Sequence, residues 1–466
     1  MNPMRIFRAM RARVCPRGWW GFKLTAGAGG PGLGWRTSTG GTSPGYIGID
    51  VGSDDTLDSP MPFVTHLECA NCGAEYPAGE VHGLCTSCQR PLWVRYDLDA
   101  VKTEFPKKAL IGRPPTLWRY LEMLPLENPA SIVSLTETIT PILPVPRLGA
   151  EFGLETLLIK DESRLPTGSF KARGMAMAVT MANEFGLKKL AVPTAGNAGG
   201  ALAAYAARAG MESWVFMPED TPAINQMECI LAGANVYAVN GLIDDCGKIV
   251  SEGSERMGWF DMSTLKEPYR IEGKKTMGLE LAEQFEWELP DWIFYPTGGG
   301  TGLIGMWKAF GELETLGWLK SGKRPKMVAC QSDGCAPIVN AFESGQRHAK
   351  RVDNARTIAS GLRVPQAVGD FMILDAVKES GGVAMAAPEG DILKWMRLAN
   401  AKEGIALCPE TAVCLGVLDQ MMGQGRVKAK ERVLVFNTGA AQKYPEAVTI
   451  DLPRIDLNEP VDWGNI

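Results

Sequence analysis

Only three histidines, His66, His82 and His348, occur in 466 residues. None lies in a pattern that resembles a Ser-His or Cys-His active site, so nucleophilic catalysis of that kind is disfavoured. No run approaches the ~18 apolar residues of a membrane span. No acid precedes Asp50. A net charge of −5 gives no general attraction to nucleic acid or to an anionic membrane. Eleven cysteines in a chain of this length do not form a disulfide framework, and a reducing, cytoplasmic compartment is expected. The hydrophobic and charged fractions, 45% and 22%, are those of a soluble globular protein. The length allows two or three domains with large cores.

What is present begins with an arginine-rich, Gly/Pro-rich stretch over residues 1–60. It cannot bury a core and reads as a disordered leader ahead of Met61; a targeting peptide is the competing reading. Residues 61–100 carry Cys69-Ala-Asn-Cys72 and Cys85-Thr-Ser-Cys88. Two CxxC knuckles at this spacing predict a closed, structural four-cysteine zinc ribbon. Few basic residues accompany it, chiefly Arg90 and Arg95, which speaks against nucleic-acid binding. From Glu155, short apolar strands such as Thr156 to Lys160, Leu190 to Pro193 and Trp292 to Tyr295 alternate with helices. That alternation predicts an α/β fold with a parallel sheet covered on both faces, through residues 101–450. Residues 451–466 read as a tail.

Three stretches in this region carry chemistry. In Pro166-Thr167-Gly168-Ser169-Phe170-Lys171, Pro and Gly break the chain and Ser169 or Thr167 is expected to cap a helix starting near Phe170. Lys171 then sits at a helix N-terminus, where the dipole disfavours an ammonium ion and lowers the lysine pKa for Schiff-base chemistry. Thr297-Gly298-Gly299-Gly300-Thr301-Gly302 joins a strand to a helix. Its backbone N–H groups can converge on an anion. Gly300, Gly302 and Gly305 also match a dinucleotide pattern, but the next strand ends near Asp333, later than the usual ribose-binding acid. Thr194-Ala195-Gly196-Asn197 makes a second such junction, with backbone donors suited to a carboxylate. Arg270, Lys274 and Lys275 form a basic stretch preceding a helix that begins near Thr276, and Phe436-Asn437-Thr438-Gly439 ends the last strand.

The segment Pro166 to Lys171, with Arg173 and Gly174, resembles the lysine motif of the fold type II pyridoxal-phosphate enzymes. That family includes threonine synthase, threonine dehydratase and cysteine synthase. The resemblance covers about residues 130–450 and is closest to the threonine synthase form, although Ala172 stands where many of those enzymes carry an acid. It implies two three-layer α/β/α lobes and a pyridoxal 5'-phosphate held by Lys171. It implies Asn197 at the phenolic oxygen, Gly298, Gly299, Gly300, Thr301 and Gly302 at the phosphate, and Thr438 at the ring nitrogen. Thr194 is then a candidate for the substrate carboxylate, and Arg270 with Lys275 for a substrate phosphate. The implied partner is a small amino-acid phosphate, in a homodimer, with no nucleic acid and no membrane. The implied reaction converts O-phospho-L-homoserine and water to L-threonine and phosphate, a carbon–oxygen lyase reaction. A serine or threonine dehydratase and a cysteine or cysteate synthase are the alternatives on the same fold. If residues 1–60 are a leader, a chain starting at Met61 keeps its metal content and activity; metal analysis and assay of that truncation check this.

Overall fold

Beta-branched and aromatic runs make the strands, and runs rich in small residues make the helices that cover them. The computed structural model describes residues 63–448, 452–458, 460–461 and 463–464. The leader expected over residues 1–60 lies outside the described residues, and the tail is described only in part.

In chain order the strands are β1 (Val64–Cys69), β2 (Glu75–Tyr76), β3 (Leu92–Tyr96), β4 (Ile142–Pro144), β5 (Thr156–Asp161), β6 (Lys189–Pro193), β7 (Glu212–Pro218), β8 (Asn235–Val239), β9 (Phe260–Asp261), β10 (Trp292–Pro296), β11 (Lys326–Ser332), β12 (Val383–Ala387) and β13 (Arg432–Asn437). The helices are α1 (Leu98–Glu104), α2 (Pro146–Glu151), α3 (Lys171–Glu184), α4 (Asn197–Arg208), α5 (Ala223–Leu231), α6 (Ile243–Met257), α7 (Tyr269–Gln284), α8 (Thr301–Thr315), α9 (Pro337–Glu343), α10 (Asp370–Glu379), α11 (Ile392–Glu403) and α12 (Pro409–Gly423). Three sheets result. The cysteine-bearing hairpin has order β2-β1-β3, the large sheet β12-β11-β10-β13-β5-β4 and the small sheet β8-β7-β6-β9. The large sheet is parallel except for β4, which pairs antiparallel with β5.

Strand alternation sorts the cores. Ile293, Tyr295, Leu434 and Phe436 face α7, α8 and α10. Their neighbours Trp292, Phe294, Val433 and Val435 face α2, α11 and α12. The small sheet does the same, with Leu190, Val192, Val215 and Met217 toward α3 and α4, and Ala191, Trp214 and Phe216 toward α6. Each of these two sheets is therefore the middle of three layers.

Two features depart from the sequence reading. The helix expected near Thr276 starts at Tyr269, because Glu267 accepts the N–H groups of Tyr269 (2.7 Å) and Arg270 (3.0 Å) and so caps it earlier. Helix α6 and strand β12 carry weak signals. Helix α6 contains two glycines, and a Cβ on Gly253 would lie 2.0 Å from the Trp259 ring that packs there; β12 is mostly alanine.

The lobes are fastened under the lysine helix. Arg173 on α3 donates from Nε to Glu162 (2.6 Å) and from Nη2 to the same carboxylate (2.9 Å). Its Nη1 lies 2.8 Å from Glu280 on α7. Lys160 on β5 pairs with the other oxygen of Glu280 and donates to Thr140 O (2.8 Å) and Gln284 (2.6 Å). All four charged side chains are fully buried, so the pairing compensates a large desolvation cost. Helices α3 and α7 touch backbone to backbone here: a Cβ on Gly273 would stand 2.1 Å from the carbonyl oxygen of Arg173. The two cations hold Glu280, despite its burial, at about 2. Its contribution to stability is therefore full above the ordinary 4.5 and is lost as pH falls toward about 2. Glu280→Ala leaves Arg173 and Lys160 without that partner and costs about 3–5 kcal/mol, measured as a lower urea midpoint.

Candidate active site

The lysine loop turns at Thr167 and Gly168, which both take positive φ (61° and 62°). Neither Ser169 nor Thr167 caps α3 as expected; both hydroxyls are buried without a partner. The loop is held by the end of β13 instead. Phe170 N–H donates to Thr438 O (3.0 Å), and Ala440 N–H donates to Gly168 O (2.8 Å). Lys443 adds a bond to Thr167 O (2.9 Å).

Lys171 opens α3. Burial is the first cause that brings its amine down to about 7, the Arg270 guanidinium is the second, and Glu410 opposes both. The helix dipole invoked from sequence is not needed. Lys274 Nζ shares the Phe170 ring with Lys171, at 4.2 Å and 4.6 Å from its centroid.

A cavity of about 700 Å³ opens in front of this amine. Lys171, Thr194, Asn197, the run Gly298 to Gly302 and Thr438 all line it, so these sequence candidates meet on one surface. The glycine run fits a bound phosphate. A Cβ on Gly298 would lie 2.4 Å from Gly361 O, and one on Gly299 2.8 Å from Thr264 Cγ2. Among the described residues, the N–H groups of Gly298, Gly299 and Gly300 have no protein acceptor, and they lie at the N-terminus of α8.

Asn197 is clamped. Its amide donates to Tyr444 OH (3.0 Å) and accepts from Asn225 (3.1 Å). Thr194 uses its hydroxyl on its own loop, donating to Gly196 O (2.7 Å) and accepting from the N–H groups of Gly196 (3.1 Å) and Gly199 (3.2 Å). It shapes the loop, and its hydroxyl is spent there. Thr438 presents its hydroxyl 3.7 Å from Cys408 Sγ.

Two further residues, Glu410 and Tyr444, belong to this wall. Glu410 accepts from Gly361 N–H (2.8 Å) and Tyr444 OH (2.9 Å), while its second oxygen is buried without a partner. In sequence it follows Pro409 at a helix start, where a carboxylate reads as an ordinary dipole partner.

None of Arg270, Lys274 and Lys275 lines the cavity, but their surroundings differ. Arg270 is buried, donates to Met262 O (2.7 Å) and leaves Nε without a partner, close enough to Lys171 to depress it. Lys275 is corrected. It lies inside α7, fully buried, 2.8 Å from Glu272 and 3.1 Å from Glu312, with Lys308 completing the cluster. Its charge is consumed there, and it does not line the cavity.

In the hairpin, Cys69, Cys72, Cys85 and Cys88 place their sulfurs within 4.8 Å of one another. Sγ–Sγ distances of 3.4–3.6 Å approach the ~3.8 Å edge of a tetrahedron with ~2.3 Å metal–sulfur bonds. The set fits one tetrahedral ion, and the knuckles are near copies: Gly73 and Gln89 take positive φ (72° and 56°) just after Cys72 and Cys88.

Residues 133–439 match the pyridoxal-phosphate dependent enzyme family, and the chain belongs to it as a fold type II member. Similar proteins include a threonine synthase of Methanocaldococcus jannaschii, 34% identical over 81% of this chain and 93% of that protein. A threonine synthase of Methanosarcina acetivorans is 34% identical over 82% and 93%. Among solved structures, the processed form of threonine deaminase isoform 2 from Solanum lycopersicum superposes with a TM-score of 0.58 at 20% identity, over 72% of this chain and 96% of that one. Maize serine racemase gives 0.55 at 20% identity, over 65% and 88%. The two solved structures share the fold. No helix of the described residues is long and apolar enough to cross a membrane.

Only a neutral amine captures an aldehyde, so cofactor-free protein takes up pyridoxal phosphate faster as pH rises through about 7. A lysine at the ordinary 10.5 would show that rise only in strongly alkaline solution. Borohydride then fixes the cofactor to a peptide containing Lys171; labelling of another lysine sinks the assignment.

Proposed function

We propose that the enzyme is a threonine synthase, converting O-phospho-L-homoserine and water to L-threonine and phosphate. The carrying observation is the charge of the cavity. The whole chain has a net charge of −5. The cavity is nevertheless lined by Arg90, Lys171, Lys248, Lys266, Arg351 and Arg363 against three acids, Asp244, Asp245 and Glu410. A basic site in an acidic protein selects an anionic substrate. The curated relatives at 34% identity are themselves threonine synthases.

Bound pyridoxal phosphate supplies the electron sink for the pair released at a substrate carbon. Lys171 would hold the cofactor, take protons from substrate Cα and Cβ and return protons to Cγ and Cα; with a value near 7 it can do both at neutral pH. Gly298 to Gly302 would hold the cofactor phosphate, Asn197 its phenolic oxygen and Thr438 its ring nitrogen. A hydroxyl at that nitrogen does not force a proton onto it, which favours elimination and replacement over transamination. Arg270, buried with donors to spare, stabilises the phosphate that departs from Cγ. Water then adds at Cβ. The four cysteines hold one zinc, which closes the hairpin.

The test is an assay of the holoenzyme with O-phosphohomoserine, following phosphate and threonine together. Arg270→Ala lowers kcat/KM for this substrate by about 2–4 kcal/mol of transition-state stabilisation and slows any deamination of serine far less. Equal losses of both would make Arg270 a support of the fold. Ready consumption of serine or threonine with no turnover of O-phosphohomoserine would replace the reading with a dehydratase.

A further inference from the structure

The cysteine hairpin is more than an appendage. Leu84, Gln89 and Arg90, which flank the second knuckle, line the cavity. Arg90 is tied to the metal ligands by backbone. Cys85 N–H donates to Arg90 O (2.9 Å), and Gln89 N–H donates to Cys85 O (2.8 Å). The turn that carries Cys85 and Cys88 is thus the turn that aims Arg90. The hairpin is also seated. A Cβ on Gly83 would lie 3.2 Å from Lys266 O, and Arg347 reaches Asn71 beside the first knuckle (3.3 Å).

Arg90 differs from the other cations of the wall. Lys248, Lys266, Arg351 and Arg363 each hold a carboxylate: Asp245, Asp261, Asp244 and Asp220 respectively. Lys171 is committed to the cofactor. Among the described residues, Arg90 has no carboxylate within ion-pair distance and its guanidinium donates to no protein acceptor. It rests only against the Phe371 ring, 5.8 Å from the centroid. Arg347 lies closer to the same ring, at 5.0 Å, and is already paired with Asp375 (2.9 Å). A half-buried guanidinium with unspent donors, on a residue that lines a cavity, suits a phosphate.

We infer that Arg90 is a specificity-determining residue that binds the substrate phosphate, and that the four-cysteine site positions it. The inference rests on the reading of an amino-acid phosphate as substrate. It makes the metal a distant support of substrate recognition, with no part in bond breaking.

The experiment uses reduced holoenzyme titrated calorimetrically with inorganic phosphate, alongside kinetics with O-phosphohomoserine. Arg90→Ala weakens phosphate binding and raises KM by about tenfold to a hundredfold. Inhibition by L-threonine, which lacks the phosphate, and the cofactor absorbance stay unchanged; Arg90→Lys recovers part of the loss. Cys72→Ser, at the exposed ligand, lowers the metal content and weakens phosphate binding by a similar factor, and adds nothing to Arg90→Ala. The inference is overturned if Arg90→Ala leaves KM and phosphate binding intact, or weakens L-threonine equally. It is also overturned if Cys72→Ser loses metal without losing phosphate affinity. Wild-type turnover of O-phosphohomoserine with a silent Arg90→Ala sinks this inference alone, whereas no wild-type turnover sinks the threonine synthase reading with it.

Discussion

One guanidinium ties the catalytic half of this protein together. Arg173 grips Glu162 with two nitrogens and Glu280 with the third, all beyond the reach of water. Glu162 lies just after β5, Arg173 one half-turn beyond Lys171 on α3, and Glu280 on α7, so three elements are fixed relative to one charge. The orientation of α3 sets where Lys171 points. Because a buried charge without its partner is so costly, the arrangement has little freedom to drift. The same packing strips water from the lysine and sets Arg270 near it, which brings its amine into the neutral range. Fold stability and the acid–base property of the site therefore arise from one cluster.

The cavity shows how charges are allotted. Most cations on its wall are already paired with an acid, some within their own segment and some from another. Those pairs contribute shape and a background of potential more than direct grip, since exposed pairs are weak. Among the described residues, and besides Lys171, the lining cation left without an acid is Arg90 on the hairpin, while Arg270 keeps an unspent Nε behind the wall, near Lys171.

Much of this was legible in the sequence where chemistry is local. The four central strands β5, β10, β11 and β13 of the large sheet follow from apolar runs, the knuckles from CxxC spacing, and the glycine run from its need for bare backbone. What escaped depended on partners distant in sequence. Lys275 looks like a solvated or anion-binding lysine until Glu312 and Lys308 are brought beside it. Helix α7 began earlier than expected because a carboxylate two residues before it, Glu267, serves as cap. Thr194 lies on the cavity wall, yet its hydroxyl is engaged by its own loop. Glu410 and Arg90 carry no signal of their own, because nothing in their immediate neighbours shows that they face a common cavity. Substrate identity is the least local property of all, and for that the relatives' sequences say more than the fold does.

The strand order has a consequence for synthesis. In the large sheet β13 lies between β10 and β5, although every other strand is made before it. On the ribosome, β5 and β10 emerge with open edges and wait for the strand that joins them. Such edges invite pairing with other chains, and closure of so long a loop is slow. The same late strand ends in Thr438, whose carbonyl holds Phe170 in place. Lys171 is therefore translated early but fixed in place only after β13 has been made. Cofactor binding and completion of the central sheet become a single late event, and a nascent chain that has not reached β13 has no finished pocket to fill.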